Sequence, residues 1–140
     1  MVTSEPWLTL RRSYDSALRA LQDPGKELHA VLNGDEVCGF ILLDLRGLLA
    51  GYIQTICVRS DLRGHGLGTA LITWAEQRIF QESPNVFLCV SSFNDGARRL
   101  YVRMGYEVVG RLARFVVGQH DELLLRKTRG PWAEFQPPPA

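Results

Sequence analysis

The sequence predicts an α/β (α+β) fold: a mixed, mostly antiparallel central sheet flanked by helices. Three stretches carry this reading. Residues 28–32 and 37–45 are apolar runs joined by Asn33-Gly34-Asp35-Glu36, the signature of a β-hairpin. Residues 51–80 read as strand, glycine-rich turn and helix, and residues 86–106 as strand, capped helix and glycine stop.

The 140 residues suit one core, which we expect over residues 1–130, followed by an irregular proline-rich tail over 131–140. An apolar share of 46% is ordinary for a globular chain, and a net charge of +1 argues against a nucleic-acid or membrane-surface partner held by bulk charge. No apolar run approaches a membrane span, and Met1-Val2-Thr3-Ser4-Glu5-Pro6 lacks signal-peptide character, so a cytoplasmic protein is expected. Cys38, Cys57 and Cys89 each fall in a predicted strand. Their odd number, with no Cys-x-x-Cys and no clustered histidines, speaks against a disulfide framework and against a metal site. They read as small buried hydrophobes.

In chain order, residues 7–10 are either a short strand or a hydrophobic lead-in. From Ser13 the residues Tyr14, Ala17, Leu18 and Leu21 share a helical face, and Asp23-Pro24-Gly25 stops the helix. The hairpin follows, and Arg46-Gly47 turns the chain into a third strand over 51–58, completing an antiparallel meander. The next helix carries Leu67, Leu71, Ala75 and Ile79 on one face, with Ile72 beside them. Ser83-Pro84-Asn85 breaks it before the compact strand at 86–90. A helical crossover of this kind places two strands parallel. Asn94 is a good N-cap with Asp95 in the first turn, Ala97, Leu100, Tyr101 and Met104 share a face, and Gly105 suits the position after the helix. Residues 106–109 and 123–125 read as the last strands, with Phe115, Val116 and Val117 extending one of them and Gly118-Gln119-His120-Asp121 as the turn.

The glycine-rich turn is Arg63-Gly64-His65-Gly66-Leu67-Gly68-Thr69. Glycines at a helix start leave backbone N–H groups uncovered, and the helix dipole adds positive potential, so the turn suits a phosphate. It is neither a Walker loop nor the Gly-x-Gly-x-x-Gly dinucleotide turn. Arg63-x-x-Gly66-x-Gly68 resembles instead the pyrophosphate turn of the GNAT superfamily of acyl-CoA-dependent N-acetyltransferases. Asn94-x-x-Ala97-x-x-Leu100-Tyr101-x-x-x-Gly105-Tyr106 is similar to a second motif of that family, with Tyr for its final Phe. Both motifs, in the family's order, fall within residues 51–110. The similarity is nearest to the branch that acetylates ribosomal-protein alanine N-termini.

The resemblance implies the GNAT fold with a shortened N-terminal segment, since the family opens with a strand and two helices and only one helix fits here. It implies acetyl-CoA as co-substrate, an amine acceptor (a small molecule or a peptide), and allows a homodimer. By resemblance, Gly64, His65, Gly66, Leu67, Gly68 and Thr69 hold phosphate with Arg63. Backbone groups of Ile56, Cys57 and Val58 hold the pantetheine arm, while Asn94 steadies it and Ala97 lies beside it. Tyr101, two helical turns after Asn94, is the expected general acid. A carboxylate that many relatives carry on the central strands is missing, with Cys89 standing where the N-terminal-acetylating branch has glutamate. Glu122, Asp121 and His120 are left as candidate bases, each expected to be a solvated turn residue. An acyl-CoA-binding module of weak catalytic power is the alternative.

Overall fold

Asn33-Gly34 closes the hairpin between β1 (Glu27–Asn33) and β2 (Glu36–Asp44), with Gly34 at φ +61°, the left-handed region that glycine enters freely. The computed structural model describes residues 1–139. β2 pairs antiparallel with β3 (Tyr52–Val58), which completes the expected meander. α2 (Leu67–Ile79) then crosses over to β4 (Asn85–Ser91), which lies parallel to β3. α3 (Asp95–Arg103), β5 (Glu107–Leu112) and β6 (Glu122–Thr128) follow, and the sheet order is β1-β2-β3-β4-β6-β5. The last strand is thus inserted between β4 and β5.

The core lies between the sheet and α2. Ile41, Leu43, Ile53, Leu88, Val90 and Leu125 meet Leu71, Ile72, Ala75 and Ile79, all nearly or wholly removed from solvent. Burial of each large side chain contributes roughly 1.5–3 kcal/mol. The predicted face of α3, with Ala97, Leu100, Tyr101 and Met104, packs against the same cluster.

The register between β2 and β3 slips by one: Leu42 faces Thr55 but Leu43 faces Ile53, leaving Gln54 as the extra residue of a bulge. The bulge resets the alternation of β3. Ile53, Ile56 and Val58 all pack toward the helices, while Thr55 and Cys57 take the opposite face.

α1 (Tyr14–Leu21) begins where expected, with the Ser13 hydroxyl accepting from the Ser16 N–H. Residues 7–10 form neither a strand nor a free lead-in. They belong to irregular helical turns, in which the Leu8 N–H donates to Ser4 and the Leu10 N–H to Pro6. Among the described residues α1 is the one helix before β1.

Two other expectations fail. Phe115, Val116 and Val117 extend no strand, because the β5–β6 ladder ends at Leu112 opposite Glu122. The connection is instead drawn inward by Asp121, which accepts from the Arg114 N–H at 2.9 Å and pairs with Arg111. The tail is not wholly irregular either, since Trp132–Glu134 form one 3-10 turn. Ala140 lies outside the described residues.

Candidate active site

β3 and β4 touch only at their starts. Their ladder consists of Tyr52 against Phe87 and Ile53 against Leu88, and residues 54–58 have no partner on that side. β4 nevertheless stays paired with β6 as far as Ser91. Two parallel strands that separate in this way open a wedge in the sheet, with β3 backbone donors and acceptors facing the gap. A cleft of about 1090 Å³ occupies it.

The start of α2 forms one wall. Its first intrahelical bond runs from the Ala70 N–H to the Gly66 carbonyl, so the N–H groups of Leu67, Gly68 and Thr69 have no partner within the helix. No side chain caps this end. Gly64 and Gly66 have φ +78° and +84°, so the turn depends on glycine for its backbone path. Arg63, Gly64, Gly66, Gly68 and Thr69 line the cleft, but the exposed His65 and the helix residue Leu67 do not. The Arg63 guanidinium reaches the Val58 carbonyl at 3.1 Å and the Ser4 hydroxyl at 3.3 Å.

On the β3 side Ile56 and Val58 line the cleft, whereas the side chain of Cys57 is turned to the other sheet face by the bulge. The start of α3 forms the far wall with Asn94, Ala97 and Tyr101. The Asn94 side-chain oxygen accepts from the Ala97 N–H at 3.3 Å, so its oxygen serves the cap and its amide N–H groups are the part left for a ligand. Tyr101 packs edge-on to Tyr106, ring centroids 6.0 Å apart. Burial pushes the Tyr101 hydroxyl up to about 12, so the phenol keeps its proton throughout the neutral range.

The opposite sheet face holds groups that the motifs do not mark. Tyr52 and Cys89 lie side by side there, and burial raises both hydroxyl and thiol above their ordinary values. Cys89 is half-buried and lines the cleft, as do Ser91 and Phe93. Glu122 is not a solvated turn residue. It opens β6, is 6% exposed, and accepts from the Ser91 hydroxyl at 2.6 Å. Asp121 is engaged by Arg111 and Arg114, and His120 stacks against Phe93 with centroids 4.6 Å apart.

The N-terminal turns add Glu5, Pro6, Trp7, Thr9 and Leu10 to the cleft, a contribution without a sequence signal beyond the apolar character of Trp7 and Leu10. Among the described residues no group of His, Cys, Asp or Glu is placed to hold a metal, and no helix is long and apolar enough to cross a membrane.

A wedge between parallel strands, closed at one end by an uncapped glycine-rich helix start, defines the class: an α/β protein with an elongated cleft opened in its own sheet. The family model of the acetyltransferase (GNAT) family matches residues 2–106, and the chain belongs to that family. An uncharacterized N-acetyltransferase of Methanocaldococcus jannaschii is 33% identical over 81 residues, 56% of this chain and 52% of that protein. The aminoalkylphosphonate N-acetyltransferase of Salmonella typhimurium is 31% identical over 93 residues, 62% of this chain and 60% of the relative. The chain therefore matches between half and two thirds of the length of these curated relatives. An aminoglycoside 6'-N-acetyltransferase solved with coenzyme A shares the fold, with TM-score 0.69 and 17% identity over 86% of this chain and 83% of the other.

Proposed function

We propose that the protein transfers an acetyl group from acetyl-CoA to a primary amine, a small molecule or a protein N-terminus, by direct attack on the thioester. The observation that carries this is the wedge between β3 and β4 with the free N–H groups of α2 at one end and Tyr101 in its wall. The residues present fit the co-substrate. The N–H groups of Leu67, Gly68 and Thr69, helped by Arg63, take the pyrophosphate. The unpaired backbone of residues 54–58 accepts an amide-bearing arm in the manner of an added strand, and a β3 N–H aimed at the thioester carbonyl stabilises the oxyanion that develops there. Such a preorganised donor contributes roughly 3 kcal/mol. Asn94 steadies the arm, and Tyr101 gives its proton to the departing sulfur.

A binding module without turnover is the competing reading, favoured by the lack of any carboxylate on β3 or β4. Calorimetry with acetyl-CoA, followed by an acetylation panel of aminoalkylphosphonate, aminoglycoside and N-terminal peptide, separates the two. Gly68→Asp is the control for the phosphate seat. Gly68 lies within α2 with ordinary room for a side chain, its β-carbon meeting only Val58 at 3.9 Å, and a first-turn carboxylate suits a helix while repelling phosphate. The variant should fold normally and lose acetyl-CoA binding. Equal binding by wild type and variant would refute the seat, and acetyl-CoA binding without acetylation of any amine would leave the module reading standing.

A further inference from the structure

Resting on the acetyl-transfer reading above, we propose that Ser91 and Glu122 together take the proton of the acceptor ammonium, supplying the base that β3 and β4 lack. Ser91 is the last residue of β4 and lines the cleft beyond the point where β3 has left it. The β4–β6 register sets Glu122 directly beside it, and the two side chains share a 2.6 Å hydrogen bond while 5% and 6% exposed. Val90 and Leu123 pack toward the helices, so the alternation of the strands turns Ser91 and Glu122 to the other face. Tyr101 packs on the helix side. Proton acceptor and proton donor thus flank the wedge from opposite sides, which keeps the group that takes the amine's proton apart from the group that serves the departing thiolate.

The competing carboxylates are occupied. Glu5 lines the cleft, but its two oxygens accept from the N–H and hydroxyl of Thr9, and it is exposed at that rim. Asp121 is held below its usual range by the Arg114 N–H and by Arg111, which makes it a weak base. Glu122 is shifted the other way: burial raises it, against the Ser91 hydrogen bond and the nearby His120. A higher carboxylate value lies closer to that of an ammonium and makes the transfer less uphill. The groups around it are Tyr52 from β3, Cys89 and Ser91 from β4 and His120 from the preceding turn, while β5 presents Leu112.

The protons balance. The ammonium gives one proton to the Ser91 oxygen as the Ser91 hydroxyl proton passes to Glu122, leaving a neutral amine, a neutral serine and a protonated Glu122. Attack forms the C–N bond, and collapse breaks the C–S bond. The second nitrogen proton then makes good the proton that Tyr101 gives to the sulfur. Glu122 returns its proton to solvent, so one proton is released per turnover.

The test measures kcat/KM against pH for wild type, Glu122→Gln and Ser91→Ala, using the fastest amine of the panel and, in parallel, an alkoxyamine that is already neutral. Glu122→Gln should lower kcat on the basic amine by about 10²-fold or more, and replace the acidic limb set by Glu122 with one that follows the free-amine fraction. Ser91→Ala, which needs no buried amide, should do the same. Both variants should turn over the alkoxyamine close to the wild-type rate and bind acetyl-CoA normally. Equal losses on both acceptors, or an unchanged pH profile, would overturn the relay and reduce the pair to a strand-end tie. A wild type that binds acetyl-CoA but acetylates neither acceptor overturns the functional reading, and the relay with it.

Discussion

The carbonyl oxygen of Asn85 occupies the space that a β-carbon on Gly51 would need. Gly51 sits at φ +94°, and its own carbonyl accepts from the Phe87 N–H at 3.0 Å. This contact ties β3 to β4 just below the point where they part, so it sets the apex of the wedge.

Gly51→Ala should therefore cost more than the roughly 1–3 kcal/mol of a strained left-handed alanine, because the strands must also move apart. Gly34→Ala is the comparison. It has a similar backbone at φ +61° but nothing within 4 Å of the added carbon, and should cost about 1 kcal/mol. Urea denaturation of both variants gives the two values, and equal losses would show that the close approach to Asn85 carries no energy.

What the sequence made legible was local. Asn33-Gly34, Asn94 with Asp95, and Gly105 act within a few residues, and each element they mark forms within a residue or two of its expected bounds. The glycines from 64 to 68 marked one wall of the cleft for the same reason. Long-range placement was not legible. Glu122 meets Ser91 across 31 residues because β6 enters between β4 and β5, and no spacing in the sequence announces that insertion. Nor was the Gln54 bulge legible, which shifts the alternation of β3 and turns the Cys57 side chain to the other face while its backbone stays in the unpaired stretch of 54–58. Phe115, Val116 and Val117 have strand-forming composition, and the pull of Asp121 on Arg111 and Arg114 overrides it.

A second prediction concerns the tie between α2 and β6. Lys127 donates to Glu76 at 2.8 Å, with Glu76 buried and its other oxygen unpaired near Tyr106. Lys127→Met should leave a buried carboxylate without its cation. Partial exposure of the lysine discounts the loss to about 1–3 kcal/mol in chemical denaturation. Adding Glu76→Leu should recover most of it, since the penalty arises from the stranded charge. No recovery in the double variant would place the cost in lost packing of the lysine stem instead.

A third follows from the upward shift of Glu122, and its sign is fixed by linkage. A carboxyl raised in the folded state stabilises the fold below its unfolded value, near ~4.3, and that contribution is lost as pH rises through the folded value. Glu122→Gln has no such loss. Its melting temperature relative to wild type should climb between pH 4 and neutrality (~7) and then level off, the plateau marking ionisation of the folded carboxyl. A difference that stays flat with pH would mean that Glu122 titrates alike in both states.

The last prediction concerns Tyr101 and separates enzyme from binding module. Phenylalanine keeps the ring against Tyr106 and the apolar face of α3 and removes only the hydroxyl. With that hydroxyl pushed up to about 12, proton transfer to a free thiolate near ~8.5 is uphill, so the transfer must accompany C–S cleavage. Tyr101→Phe should then bind acetyl-CoA almost normally and lower kcat and kcat/KM together by roughly 10²–10⁴-fold. The deficit should shrink with a synthetic thioester whose thiolate leaves without a proton. Because burial alone holds the hydroxyl high, the wild-type rate should show no basic limb from Tyr101 below about pH 11. Steady-state kinetics with the two thioesters tests both statements, and wild-type kcat in the variant would return Tyr101 to a packing role.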